Sequence, residues 1–383
     1  MSVGVSVLEI HGTVKEGFEG VREAFAKNFT KGFEVGASVS VIHHGEVVVD
    51  IWGGHTDPER TVAWQRDNIV NVWSTTKTMM FLIMLMLHDS GELSVHDPVS
   101  KCWPEFAANG KESIEIRHLM SHTSGLAGWT ETMSPQDLFD HAKCAAALAA
   151  QAPWWEPGSQ SGYHAMSQGY LLGEVVRRVT GQTLGQFFRQ NIAEPLAADF
   201  HIGTGSEHDH RVALCIPAQD AVAPNPDNTS VAARCYGNPL MDARASWKTE
   251  WRRCESPAAN GHGNARSVAL VQSILSHGGS MHGKTFLSPQ TCEKVFEIQA
   301  SGKDLVLGTP IVLGLGYGLK SRHSVVSPNE RACFWGGWGG SLVVNDLDAS
   351  MTYAYVMNKM SDTTTGDSRA GRALLATFQA IAN

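Results

Sequence analysis

The run Asn71-Val-Trp-Ser-Thr-Thr-Lys77 stands before a wholly apolar stretch, Met79 to Leu87. A Ser or Thr ahead of a helix can cap it, because its oxygen takes an amide that has no intrahelical acceptor. A cap accounts for one hydroxyl and leaves the lysine unexplained. With Ser74 at the helix start, Lys77 falls three residues on, one turn later and on the same face. A serine hydroxyl needs a neighbouring base, or a cation that stabilises its anion, to act as a nucleophile near neutral pH. An amine one turn away can supply either. The helix start adds unpaired amides and positive potential where negative charge would develop. The apolar residues behind the pair describe a helix buried on all sides, which takes Lys77 out of water and lowers its proton affinity.

A proton carrier is offered by "PGSQSGYHAMSQGYLLGEVVRRVTG", where Tyr163 sits in a turn-rich loop ahead of an amphipathic helix. A phenol beside an amine can shuttle a proton to a leaving group, and packing is the alternative role for this tyrosine. A third element, "CFWGGWGGSLVVND", interrupts a β-run with glycines, the mark of close approach by a ligand or another backbone. Such a strand edge can donate an amide to an oxyanion and complete a hole with the amide of Ser74. The same glycines could instead relieve crowding around Trp335 and Trp338.

The elements that must position these residues change character along the chain. Val14 to Phe29 reads as a helix, and "ASVSVIHH" and "EVVVDIW" flank Gly45 as a hairpin, so the chain is expected to open helix, strand, strand. Helices follow near 75–89, 135–150, 167–180, 183–191 and 265–277, separated by turn-rich loops. Then "GYGLKS", "ACFWGG", "GSLVVND" and "MTYAYVMN" read as strands, and Gly366 to Ala382 as a closing helix. The Pro-rich stretch at 223–230 reads as a surface loop. Strands at both chain ends imply an α+β fold, an α/β sandwich whose mixed, mainly antiparallel sheet is flanked by helices. The expected division is an α/β domain of 1–73 and 283–383 and a mostly helical domain of 74–282, with the active site in the cleft between them.

Composition narrows the function classes. With 383 residues, 43% of them hydrophobic, the chain can bury a sizeable core. A formal charge of −8 without any basic run argues against a nucleic-acid or membrane-surface partner and for a small molecule. The opening residues show no secretory pattern, and the apolar run at 79–87 is too short to cross a bilayer. Seven cysteines, odd in number and never spaced Cys-x-x-Cys, fit reduced thiols in a cytoplasm. The histidines of "HDH" (208–210) and "GHG" (261–263) lack a third ligand at fixed spacing, so no metal or other cofactor is expected. The chain has no Gly-x-Ser-x-Gly, which argues against the α/β-hydrolase route to an esterase, and Ser124 in "SHTSGL" reads as part of a turn.

Taken in order, the three elements resemble the serine hydrolases related to class C β-lactamases and penicillin-binding proteins, in particular the family VIII carboxylesterases. The first motif, Ser-x-x-Lys, stands as Ser74-Thr75-Thr76-Lys77; the second as Tyr163-His164-Ala165; the third, Trp-x-Gly in such esterases, as Trp335-Gly336-Gly337. "LSVHDPVSKCWPEF", "IRHLMSHTSGL", "GYLLGEVVRRVTGQTLGQFF" and "GHGNARSVALVQSIL" are similar to family framework, so the likeness runs from about residue 15 to 380. It implies a Ser74 acyl-enzyme, with Lys77 and Tyr163 moving the protons and the amides of Ser74 and Trp338 forming the oxyanion hole. Trp335, Gly336, Gly337, His164 and Ala165 are implied as substrate-binding positions.

Trp335 stands where β-lactamases carry a lysine, and Ala165 where they carry an amide side chain, so neutral esters are expected over β-lactams. Trp335, Trp338, Trp73, Trp154 and Trp155 could line the cleft for an apolar acyl or alcohol group; core packing is the alternative for each, and the favoured one for Trp73. The expected activity is hydrolysis of carboxylic esters of short to medium acyl chain. β-Lactamase, D-amino-acid peptidase, amidase or acyltransferase activity would share the acyl-enzyme. A non-catalytic binding or assembly protein is the remoter alternative. Oligomeric state is open.

Overall fold

A computed structural model describes residues 9–218, 229–364 and 366–382. The loop expected at 223–230 lies largely outside them. Nine strands form one antiparallel sheet: β1 (Ile10–Val14), β2 (Gly36–His43), β3 (Glu46–Gly54), β4 (Ala300–Lys303), β5 (Pro310–Leu313), β6 (Gly318–Leu319), β7 (Ala332–Gly336), β8 (Leu342–Asp346) and β9 (Met351–Met357). Their spatial order is β1-β3-β2-β9-β8-β7-β6-β5-β4, so the two ends of the chain meet where β2 pairs with β9. The β2–β3 hairpin turns at His44 and Gly45, both at positive φ (50° and 78°), the backbone hand that matches strand twist in a two-residue turn.

Helices cover both faces. Along β9 alternate side chains point to opposite sides. Tyr353 donates to the Ala370 carbonyl of α5 (Ser368–Ile381), and Tyr355 accepts from Asn28 Nδ2 of α1 (Glu19–Thr30). One residue before Tyr353 in the alternation, Thr352 bonds Ser276 of α4 (Ala265–Ser276) on the other face. α4 lies within 74–282, the span expected to be the helical part, yet it packs on β2, β8 and β9. A two-part division of the chain that follows packing puts α4 with the sheet.

Two expectations are corrected at the edges of the sheet. Residues 10–14 form an edge strand on β3 before any helix, and α1 begins at Glu19 rather than at Val14. Ile10 and Val14 share a strand periodicity of two that overlaps the helical spacing read downstream. The β4–β5 pair was not anticipated because β4, Ala-Ser-Gly-Lys, is almost entirely exposed and carries no apolar alternation.

α2 (Lys77–Asp89) runs through the centre of the molecule, and all its residues from Lys77 to Leu85 are buried. A strand at Ile69–Asn71, parallel to Val212–Ala213 and antiparallel to His262–Gly263, delivers the chain to its start. Gln272 of α4 locks α2 to the sheet. Its Nε2 donates to the Thr78 carbonyl, and its Oε1 accepts from Tyr317 and from Asn345 Nδ2 of β8. Replacing Gln272 with Ala strands these buried groups and is expected to cost about 2–4 kcal/mol, seen as a lower urea midpoint at unchanged slope. A midpoint equal to wild type would show that the link carries no stability.

Candidate active site

Ser74 stands in a turn of 3-10 helix, Trp73–Thr76, that leads into α2, so the hydroxyl precedes the α-helix instead of opening it. Trp73 takes a positive φ of 49°, a strained conformation for a bulky residue. Its indole is buried between Trp251 and Trp338, with centroids 5.7 and 5.0 Å away, and so belongs to the core. No side chain caps this turn. Thr76 Oγ1 instead donates to the Trp73 carbonyl and accepts from Gly261 N–H, fastening the turn to the neighbouring strand.

The three expected residues converge. Tyr163 donates to Ser74 Oγ at 2.5 Å, and Lys77 Nζ lies 3.2 Å from the same oxygen. Lys77 Nζ also contacts the carbonyls of Ala165 (2.7 Å) and Ala258 (3.0 Å). Burial holds the lysine well below its ordinary pKa, with only a small opposing effect from Cys235. Burial likewise pushes the Tyr163 phenol up, while its hydrogen bond to Ser74 pulls the other way. The two carbonyls can only accept, so each takes an N–H bond of Lys77, and the remaining position on Nζ faces Ser74 Oγ.

The third motif closes on the same turn. Gly337, just past β7, donates to the Ser341 carbonyl, while Ser341 Oγ donates to Val72 O at 2.9 Å and lies 2.9 Å from Thr75 Oγ1. A Cβ on Gly337 would stand 2.3 Å from Val72 O and from Ser341 Oγ, so only glycine permits this approach. Gly336 ends β7 and is buried. Trp335 is 1% exposed and packs on Tyr163 and on His122, with centroids 5.7 and 5.4 Å away. Trp154 and Trp155 pack, half-buried, against the Tyr163–Trp335 cluster.

Other residues lie differently from the expectation. Ala165 contributes its carbonyl to Lys77. His164 is fully enclosed, with Nδ1 on the Gly162 carbonyl at 2.6 Å and Nε2 on Ser124 Oγ at 2.7 Å, which leaves the ring no polar atom for a substrate. Ser124, read as a turn residue, is the partner that fixes that ring. His122, at a φ of 61°, accepts the His164 N–H on Nδ1 at 3.1 Å and packs edge-on to Tyr163. Neither His122 nor Ser124 was singled out as a site residue, because no local spacing links "SHTSGL" to a loop forty residues on. His208 sits in the 3-10 turn Ser206–Arg211, its ring against His201 and its Nδ1 by Arg211 Nη2 at 2.9 Å.

The Beta-lactamase family profile matches residues 23–378. The chain belongs to the beta-lactamase family. It is 32% identical over 365 residues to the esterase/beta-lactamase LipL of Mycobacterium tuberculosis, spanning 92% of this chain and 83% of the relative. A solved family VIII carboxylesterase is similar at 37% identity and a TM-score of 0.91, over 97% of this chain and 100% of that one. A penicillin-binding protein homologue from Caulobacter crescentus is similar at 35% identity and a TM-score of 0.91, with 97% and 100% covered. This beta-lactamase-family enzyme therefore stands among serine hydrolases.

Burial around the second motif makes the family fold sensitive to acid. Burial pulls His164 down from its ordinary range to about 4, against the Gly162 hydrogen bond. The unfolded chain then binds a proton on this ring that the folded chain does not, between about pH 6.5 and 4. The stabilisation is complete above pH 6.5 and disappears as pH falls to 4, a loss of about 3 kcal/mol. His164→Gln should flatten the fall in urea midpoint between these pH values. An equally steep fall in the variant would contradict the assignment.

Proposed function

We propose that this protein hydrolyses carboxylic esters of short to medium acyl chain through an acyl-enzyme on Ser74. The observation that carries the reading is the double contact of one buried hydroxyl with Lys77 Nζ and Tyr163 Oη. The names of its relatives, an esterase/beta-lactamase and a family VIII carboxylesterase, support it.

In acylation, Ser74 gives its proton to the lone pair of Lys77 as Oγ attacks the acyl carbon. The carbonyl π electrons move onto oxygen, where the amides of Ser74 and Trp338 stabilise the charge. Ser74 lies in the first turn of its helix, where amides have no intrahelical acceptor. Collapse of the tetrahedral species expels the alcohol, which takes a proton from Tyr163, and the phenol is refilled from Lys77. Water then attacks the acyl-enzyme with Tyr163 and Lys77 carrying its proton to the departing Ser74 oxygen. The two groups share one proton inventory and titrate as a pair.

Neutral esters are favoured over β-lactams because Trp335, at the third-motif position, presents a buried indole and no cation for a substrate carboxylate. The seven free cysteines support a reducing compartment, the cytoplasm.

A nitrophenyl ester series from acetate to laurate, run beside nitrocefin, tests the proposal. Wild type should turn over the shorter esters with higher kcat/KM than nitrocefin. Ser74→Ala should lose at least about 10³-fold and Tyr163→Phe roughly 10²–10⁴-fold in kcat. Full activity in Ser74→Ala would remove the nucleophile, and nitrocefin turnover above every ester would reverse the substrate preference.

A further inference from the structure

Tyr163 is also held through its main chain, by a carboxylate that the reaction above does not use. Its N–H donates to Asp304 Oδ1 at 2.9 Å, and the same oxygen accepts the N–H bonds of Val306 and Leu307, each at 2.9 Å. Asp304 is 1% exposed and lies in the turn between β4 and β5. Leu305 N–H donates to the Ser161 carbonyl at 2.9 Å, so two hydrogen bonds dock this turn onto the Tyr163 segment. The other oxygen, Asp304 Oδ2, is buried and has no hydrogen-bond partner among the described residues.

An anchor needs only one acceptor, and an asparagine would serve. A carboxylate buried without a cation is costly. The charge therefore calls for a role of its own. The polar groups gathered around it from other segments are Tyr163, His164, Cys235 and Tyr236. His122 and Lys77 stand just beyond, against Tyr163.

We propose that Asp304 is a positioning residue for proton transfer: Oδ1 clamps the Tyr163 main chain to the edge hairpin, while the unpartnered oxygen sets a negative charge in the pocket of the phenol. The inference rests on the reading of Ser74, Lys77 and Tyr163 as the reacting groups. The charge works against proton loss from Tyr163, consistent with its contribution to the raised phenol pKa. Clamp and charge can be separated. In Asp304→Asn the amide oxygen still accepts all three N–H bonds, and Nδ2 replaces an oxygen that had no donor to lose. Asp304→Ala removes both.

The test measures the pH dependence of two rates in wild type, Asp304→Asn and Asp304→Ala: kcat/KM for a nitrophenyl ester and labelling of Ser74 by a phosphonate. Asp304→Asn should keep its melting temperature near wild type and move the alkaline limb of both profiles to lower pH, since Tyr163, which acts with its proton in place, loses it more easily without the charge. Asp304→Ala should lose about 10²-fold in kcat with little change in KM, as a misplaced phenol would. An alkaline limb of Asp304→Asn that stays put or moves up overturns the proposal, and this variant decides the matter if Asp304→Ala fails to fold. Wild type inert to both reagents would bring down the Ser74 reading and this one with it. Labelled wild type with an unshifted Asp304→Asn brings down this one alone.

Discussion

Lys77 carries its amine into the middle of the protein, where among the described residues no carboxylate meets it. Its contacts are Ser74 Oγ and two main-chain carbonyls, and none of its surface reaches water. An ammonium in such a place would cost several kcal/mol, whereas a neutral amine is tolerated. Much of the surrounding architecture follows from keeping it dry. α2 is apolar around its whole circumference because every side must be covered: Phe81 meets Tyr317, and α2 packs on α3 (Ser167–Thr180), on α4 and on the helix Leu184–Phe188. The two carbonyls that accept from Lys77 come from Ala165, just ahead of α3, and from Ala258, in the turn after the short helix Thr249–Arg253. Dryness and orientation are thus supplied by the same segments.

Precision at Ser74 comes from backbone brought against backbone. The turn Trp73–Thr76 is tied to Gly261 on one side and to Ser341 on the other, and Gly337 lies where no Cβ fits. Trp73 is held at positive φ by this surround, since its indole is wedged between two tryptophans. Strain of about 1–3 kcal/mol of this kind persists only where neighbours over-determine the conformation. A hydroxyl placed by main-chain contacts, the nucleophile under the proposed reading, keeps its position when neighbouring side chains exchange rotamers.

What the sequence disclosed follows the range of the signals. Ser74 and Lys77 are one helical turn apart and could be paired by spacing alone, and the β2–β3 hairpin and the strands from 332 to 357 announced themselves by alternation and glycine. Tyr163 carried weaker local information, and its pairing with Ser74 came from the order of three motifs and the family framework between them. Contacts made between distant segments left no local trace. Asp304 reaches Tyr163 across 141 residues, and Ser124 reaches His164 across forty from a motif that spells a turn. The edge pair β4–β5 was invisible for a related reason: exposed strands held by main-chain bonds need no hydrophobic pattern.

Under the proposed reading, the dryness around Lys77 also bears on what can bind there. Close to Tyr163 the surroundings are Ala127, Cys235, Val306, Ile311, Leu313 and Trp335, all buried, with Trp154 and Trp155 packed against them. Beside such a wall a charged substrate group would surrender its hydration without gaining a salt bridge, because the third motif offers an indole where a cation would have to stand. A neutral acyl or alcohol group gives up far less and gains apolar contact. Under the proposed reading, one constraint therefore serves both steps of recognition and chemistry: the apolar enclosure that makes the amine a base also selects an uncharged ester to meet it.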